Sequence, residues 1–156
     1  MQKLFSTIIL LSVILFLSCH KKELTKNINT SKSKSESKNS PPVVKDAIID
    51  AALDIMNTGA SYNVDSMKIN GDILSVFVNY SGGCKEHSFE IYSNGMYAKS
   101  LPPQLSLCLR HSSNDDSCRE IINQELKFNM VKMKYPGKNT VILKLGAKQR
   151  VTYTSK

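Results

Sequence analysis

The sequence predicts a mostly β protein: a small antiparallel β-sandwich or barrel-like domain with one N-terminal helix, placed after a signal peptide and a disordered tether. Three observations predict it. From residue 64 onward, apolar side chains recur at every second position in short stretches, the pattern of strands with one buried face. Turn signals such as Asn70-Gly71, Asn94-Gly95 and Gly137-Lys138-Asn139 separate those stretches. Of the 156 residues, about 114 lie beyond the last long polar run, enough for one ordinary core. The composition of 41% hydrophobic and 22% charged residues is that of a globular chain. Seven Gly and five Pro exclude a collagen-like or low-complexity protein, and four Cys are too few for a disulfide-dense miniprotein.

Met1-Gln2-Lys3 is a short positive start, and residues 4–17 form an apolar run broken by Ser6, Thr7 and Ser12. That run falls short of the roughly 20 residues that cross a bilayer core. It fits the apolar region of a secretory signal peptide, residues 1–18. Phe16-Leu17-Ser18-Cys19 resembles the lipobox of bacterial lipoproteins, with Phe16 where that family prefers Leu. The resemblance implies cleavage before Cys19, a diacylglycerol on its sulfur and an acyl chain on its new amino group. Membrane lipid is then a partner through Cys19, and several acyl chains on one residue suffice for stable anchoring. His20 stands where members retained in the inner membrane commonly have Asp, so the expected place is the extracytoplasmic side of a membrane, the outer membrane of a Gram-negative bacterium.

Residues 19–42 are dominated by Lys, Ser, Asn and Thr and end at Pro41-Pro42. Such a segment buries too little apolar surface to offset its ordering entropy, so a flexible tether is expected. It holds six Lys and two Glu, whereas residues 43–156 hold 14 Lys or Arg and 11 Asp or Glu. The formal charge of +8 therefore overstates the domain, which is only mildly basic. Lys21, Lys22 and Lys26 beside the acylated Cys19 suit anionic headgroups. The Ser-Lys run lacks interleaved aromatic residues, which argues against nucleic acid as a partner.

Residues 43–56 place Val44, Ile48, Ala52 and Ile55 at helical spacing, after a Pro pair and before Asn57-Thr58-Gly59. An amphipathic helix is predicted, though Val43-Val44 and Ile48-Ile49 also suit an extended edge segment. Residues 64–69 and 73–80 form a hairpin about Asn70-Gly71-Asp72, with Leu74, Val76 and Val78 on one face. In residues 88–92, Phe89 and Ile91 share a face. Leu101-Pro102-Pro103 favours an extended lead into residues 104–111, where Leu105, Leu107 and Leu109 face one way and Ser106, Cys108 and Arg110 the other. Residues 117–124 could make a helical turn. Alternation resumes in residues 126–130, and residues 141–145 and 150–153 pair around Gly146-Ala147-Lys148.

One constellation carries chemistry. Cys84 and His87 stand in one turn-rich segment, and His111, Asp115, Asp116 and Cys118 in another. Export favours a disulfide Cys84–Cys118, although Cys108 could pair with either, and acylation of Cys19 leaves one thiol over. An alternative is a zinc site built from Cys84, His87, His111 and Cys118, two soft and two borderline ligands, with Asp115 or Asp116 in support. A Cys nucleophile with a His base has the residue types but no local signature. Structural roles for both histidines are the blander reading. The acidic residues of 112–116 lack calcium-loop spacing, and the absence of Trp makes a carbohydrate platform unconvincing.

Gly82-Gly83-Cys84, His87, Pro102-Pro103-Gln104, His111 and Asp116-Ser117-Cys118 are together similar to motifs of an uncharacterised family of small β-domain bacterial lipoproteins. The resemblance covers residues 73–131 and implies a shared fold without an activity. The expected function is a membrane-anchored binding or interaction module for an envelope protein or ligand, with no catalysis evident and no cofactor. The alternative is a periplasmic zinc-binding protein.

Overall fold

The computed structural model describes residues 42–155. The signal peptide (1–18), Cys19 and the tether up to residue 41 lie outside the described residues. Ten strands follow in order: β1 (Val44–Asp46), β2 (Ile48–Ile49), β3 (Asn63–Asn70), β4 (Ile73–Gly82), β5 (Ser88–Ser93), β6 (Tyr97–Ala98), β7 (Gln104–Ser112), β8 (Glu120–Asn129), β9 (Thr140–Leu145) and β10 (Gln149–Thr154). They form two sheets. The first has the order β1-β8-β4-β3, and the second β10-β9-β7-β5-β2, with β6 also on β7.

The alternating stretches form strands because each buries one face. Leu74, Val76 and Val78 of β4 and Leu126 and Phe128 of β8 meet Phe89 and Ile91 of β5, Leu105, Leu107 and Leu109 of β7, and Val141 and Leu143 of β9. Each such side chain contributes about 1.5–3 kcal/mol on full burial. The hairpin about Asn70-Gly71-Asp72 forms with Asn70 opposite Ile73.

Three expectations are corrected. The first is the helix over residues 43–56, which is replaced by β1, β2 and two turns. The Asp50 carboxylate accepts from the N–H of Ala52 at 3.0 Å, and that of Asp54 from Met56 at 2.9 Å. These local bonds compete with a helix, and a lone 14-residue helix is marginal in any case. The β-branched residues ahead of them gain more by pairing. β1 runs parallel to β8, and β2 parallel to β5, so this segment passes from one sheet to the other at Ala47, which is fully buried.

The second correction concerns residues 117–124. Their latter part is β8, paired with β4 from Glu120 opposite Gly82 to Asn129 opposite Ile73. That ladder overrides a local helical turn. Third, the sheets are mixed, because β7 also runs parallel to β9. Side-chain alternation reports which face is buried and says nothing of the neighbour's direction. The fold is a sandwich of two mixed sheets with no closed barrel.

Candidate functional site

The loop between β4 and β5 (83–87) and the loop between β7 and β8 (113–119) meet at one end of the sandwich. β5 and β7 are paired with Ser88 opposite Ser112 and Phe89 opposite His111, which sets both loops side by side. A disulfide joins Cys84 to Cys118, with Cα atoms 5.8 Å apart. Cys108 is free and buried beneath the segment before β3, its Sγ 3.5 Å from the carbonyl of Asn57. Burial raises its thiol pKa above the ordinary value.

Asp116 holds the two loops together. One carboxylate oxygen accepts from the backbone N–H of Cys84 at 3.0 Å and of Lys85 at 2.9 Å, and the other from Cys118 at 2.9 Å. These donors, that of Cys118 foremost, hold its pKa well below the usual carboxylate range. Lys85 caps the opposite loop by donating to the carbonyls of Asn114 and Asp115, at 2.9 and 3.0 Å. Asn114 in turn donates to the carbonyl of Glu86 at 2.6 Å. Asn114 and Asp115 both have left-handed backbones, φ 50° and 55°, which Asn and Asp tolerate better than most residues.

Behind this clasp the two histidines are in contact. Nδ1 of His87 lies 2.7 Å from Nε2 of His111, Nε2 of His87 lies 3.2 Å from Asp116, and Nδ1 of His111 lies 3.2 Å from the carbonyl of Ala60. The side chains of His87 and Asp116 are 2% and 0% exposed. Phe89 stacks flat on His111 at 4.2 Å, and Tyr80 stacks on His87 at 4.7 Å. Burial, opposed in part by the Ala60 carbonyl and aided by His87, lowers the pKa of His111. Tyr62 packs edge-on against His111 and donates to the Leu109 carbonyl; burial pushes its pKa up to about 12.

Gly82 is required by this packing, because a β-carbon there would sit 2.6 Å from Nε2 of His87. Gly59, with φ +74°, lies so close to the His111 carbonyl that a β-carbon would collide with it.

The structure thus brings Cys84, His87, His111 and Cys118 to one end, but not as a tetrahedral ligand set. The sulfurs are bonded to each other, and the imidazoles face each other and Asp116. Among the described residues, the two sulfurs and an Asp116 oxygen lie within 4.8 Å of one another, yet that carboxylate already accepts three backbone N–H groups. The residues do not fit zinc, and none is identified as a metal ligand. Asp116, weighed in the sequence only as a supporting oxygen, is the hub. Tyr62 and Ala60 were not foreseen, since only the sheet register brings them to His111.

A cleft of about 280 Å³ lies beside the cluster, lined by Ser88, Glu90, Tyr92, Arg110, His111 and Ser112 together with Asn57 and Gly59. Arg110 lies over the Tyr92 ring at 4.9 Å, and the Tyr92 hydroxyl donates to Glu90 at 2.6 Å.

No protein-family model matches the chain, and no curated protein matches it. Several solved structures are similar to it. A Parabacteroides distasonis protein named only as toxin related is similar with a TM-score of 0.50 at 17% identity, over 72% of this chain and 62% of its own. A NigD-like immunity protein from Bacteroides caccae gives 0.50 at 16% identity, over 72% and 59%. A Bacteroides vulgatus protein of unknown function, DUF1344, gives 0.47 at 15%, over 72% and 56%. The match spans about six tenths of each neighbour's length. At these identities the likeness to the first two is one of fold alone.

Proposed function

We propose that the chain is a lipid-anchored extracytoplasmic protein whose β domain is a non-catalytic binding module for an envelope protein or ligand. The observation that carries this reading is the sealing of the one cluster, among the described residues, that gathers reactive residue types. Its sulfurs are bonded to each other, and its buried imidazoles and carboxylate are hydrogen-bonded within the protein. A nucleophile or general base needs an accessible reacting atom, and this cluster offers none. The buried Cys108 thiol has a raised pKa, the opposite of an activated nucleophile. The immunity name of one fold neighbour accords with a binding role, and the lipobox-like Phe16-Leu17-Ser18-Cys19 with a place at the membrane.

The test is crosslinking in intact envelopes with the full chain, beside a chain lacking residues 20–41. The reading expects a defined partner at fixed stoichiometry, captured equally by both chains because the contact lies on the β domain. Partner capture that disappears with the tether would contradict it. So would rapid labelling of Cys108 by a thiol reagent in the folded chain.

A further inference from the structure

Counting hydrogens along the histidine relay fixes its charge. It has three contacts: Ala60 carbonyl to His111 Nδ1, His111 Nε2 to His87 Nδ1, and His87 Nε2 to Asp116. Both ends are acceptors, so each contact needs its hydrogen from an imidazole nitrogen. Two neutral imidazoles carry one N–H each, one fewer than the three contacts require. Two facing lone pairs at 2.7 Å would repel, so an empty central contact is excluded. The relay is complete only when the pair holds one extra proton, balanced by the Asp116 carboxylate. That proton belongs on His87, which touches the carboxylate. His111 is then neutral, with its hydrogen on Nδ1.

A second proton cannot be accommodated. It would put hydrogens on both facing nitrogens 2.7 Å apart and two cations on rings 4.9 Å apart, with one carboxylate between them. We propose that the His87–His111–Asp116 relay is an acid-released latch, closed with one shared proton and opened by a second, which parts His87 from His111 and loosens the 83–87 loop against the segments that hold Ala60 and Asp116, within the reach that the Cys84–Cys118 disulfide leaves.

The surroundings leave the histidines as the groups that respond. Tyr80 from β4 and Tyr62 from the segment before β3 face the rings, and burial raises both phenols, so they stay neutral. Phe89 of β5 brings no charge. Lys85 is spent on the Asn114 and Asp115 carbonyls, Glu86 neighbours His87 in the chain, and the carboxylate of Glu120 of β8 lies over Gly83. Glu90 and Arg110 line the cleft that His111 borders. Asp116 is held well below the usual carboxylate range and stays ionised through the window. His111 binds a proton more weakly in the closed protein than its ordinary value of 6.5 implies. Below the ordinary 6.5 the opened chain, with two free imidazoles, holds more protons than the closed relay, and above it fewer, so closure is strongest near 6.5 and is lost as pH falls through the lower closed-state value of His111.

Long-range ¹H–¹⁵N imidazole spectra of the full chain in detergent test the count. At about pH 6.5, where closure is strongest, the expected result is one shared proton, with both nitrogens of the ring beside Asp116 carrying hydrogen and His111 neutral with its hydrogen on Nδ1. Two neutral rings, or two charged rings, would overturn it. Between about pH 6.5 and pH 5, amide protection at Ala60, Cys84 and Lys85 is expected to fall about tenfold per pH unit, as one-proton linkage requires. In His111→Gln, whose amide can donate to Ala60 and accept from His87, that pH dependence is expected to vanish. Unchanged wild-type protection, or an equal pH dependence in the variant, would sink the latch. If the variant does not fold, the wild-type spectra and protection decide alone.

Discussion

A methyl group added at Gly82 has nowhere to go: it meets the His87 ring, which stacks on Tyr80 and touches His111 and Asp116. Gly82→Ala is expected to cost roughly 1–3 kcal/mol, the usual price of overpacking, in urea unfolding beside a Ser81→Ala control. Asp116 gives a second expectation. Its folded pKa is depressed, so its contribution is present above the ordinary 3.8 and lost only as pH falls through the lower folded value. Asp116→Asn should therefore be less stable than wild type near neutrality and converge with it in strong acid, read as unfolding midpoints across pH. At this scale Cys84, His87, His111 and Cys118 were legible in the sequence by residue type and by their turn-rich settings. The Cys84–Cys118 pairing was legible too, as the disulfide that export favours, and the structure contains it; the separate imidazole–carboxylate relay was not, because hydrogen-bond partners depend on distances that spacing does not encode.

Ala47 is the element-scale key. It is fully buried where the chain leaves β8 for β5, and its N–H donates to the Asn129 carbonyl at 3.0 Å. A larger side chain would push both sheet edges, so Ala47→Leu is expected to destabilise by about 1–3 kcal/mol, checked by thermal unfolding. The strands from β3 onward were legible because one buried face leaves a period of two in the sequence. The segment before them was not, since its apolar residues satisfy both a helical and an extended pattern. Asp50 and Asp54 settle it by bonding their own backbone two residues on. Parallel pairing of β7 with β9 was beyond reach for a different reason: it is decided by the packing of two sheets, not by any one strand.

For the whole molecule, the Cys84–Cys118 bond closes a separation of 34 residues between loops of the paired strands β5 and β7. In the chain-entropy account such a bond is worth roughly 3–4 kcal/mol. Reduction, or the Cys84→Ala/Cys118→Ala pair, should lower unfolding stability by about that amount, while Cys108, buried and unpaired, stays unmodified until the domain unfolds. The central claim joins this bond to the membrane. The most direct test is the intact mass of the full chain recovered from the envelope of a Gram-negative host. The account predicts a chain starting at Cys19 that carries a diacylglyceryl group and an amide-linked acyl chain and is two hydrogens lighter than its reduced form. A chain that keeps residues 1–18, or one with Cys84, Cys108 and Cys118 all as thiols, would contradict it.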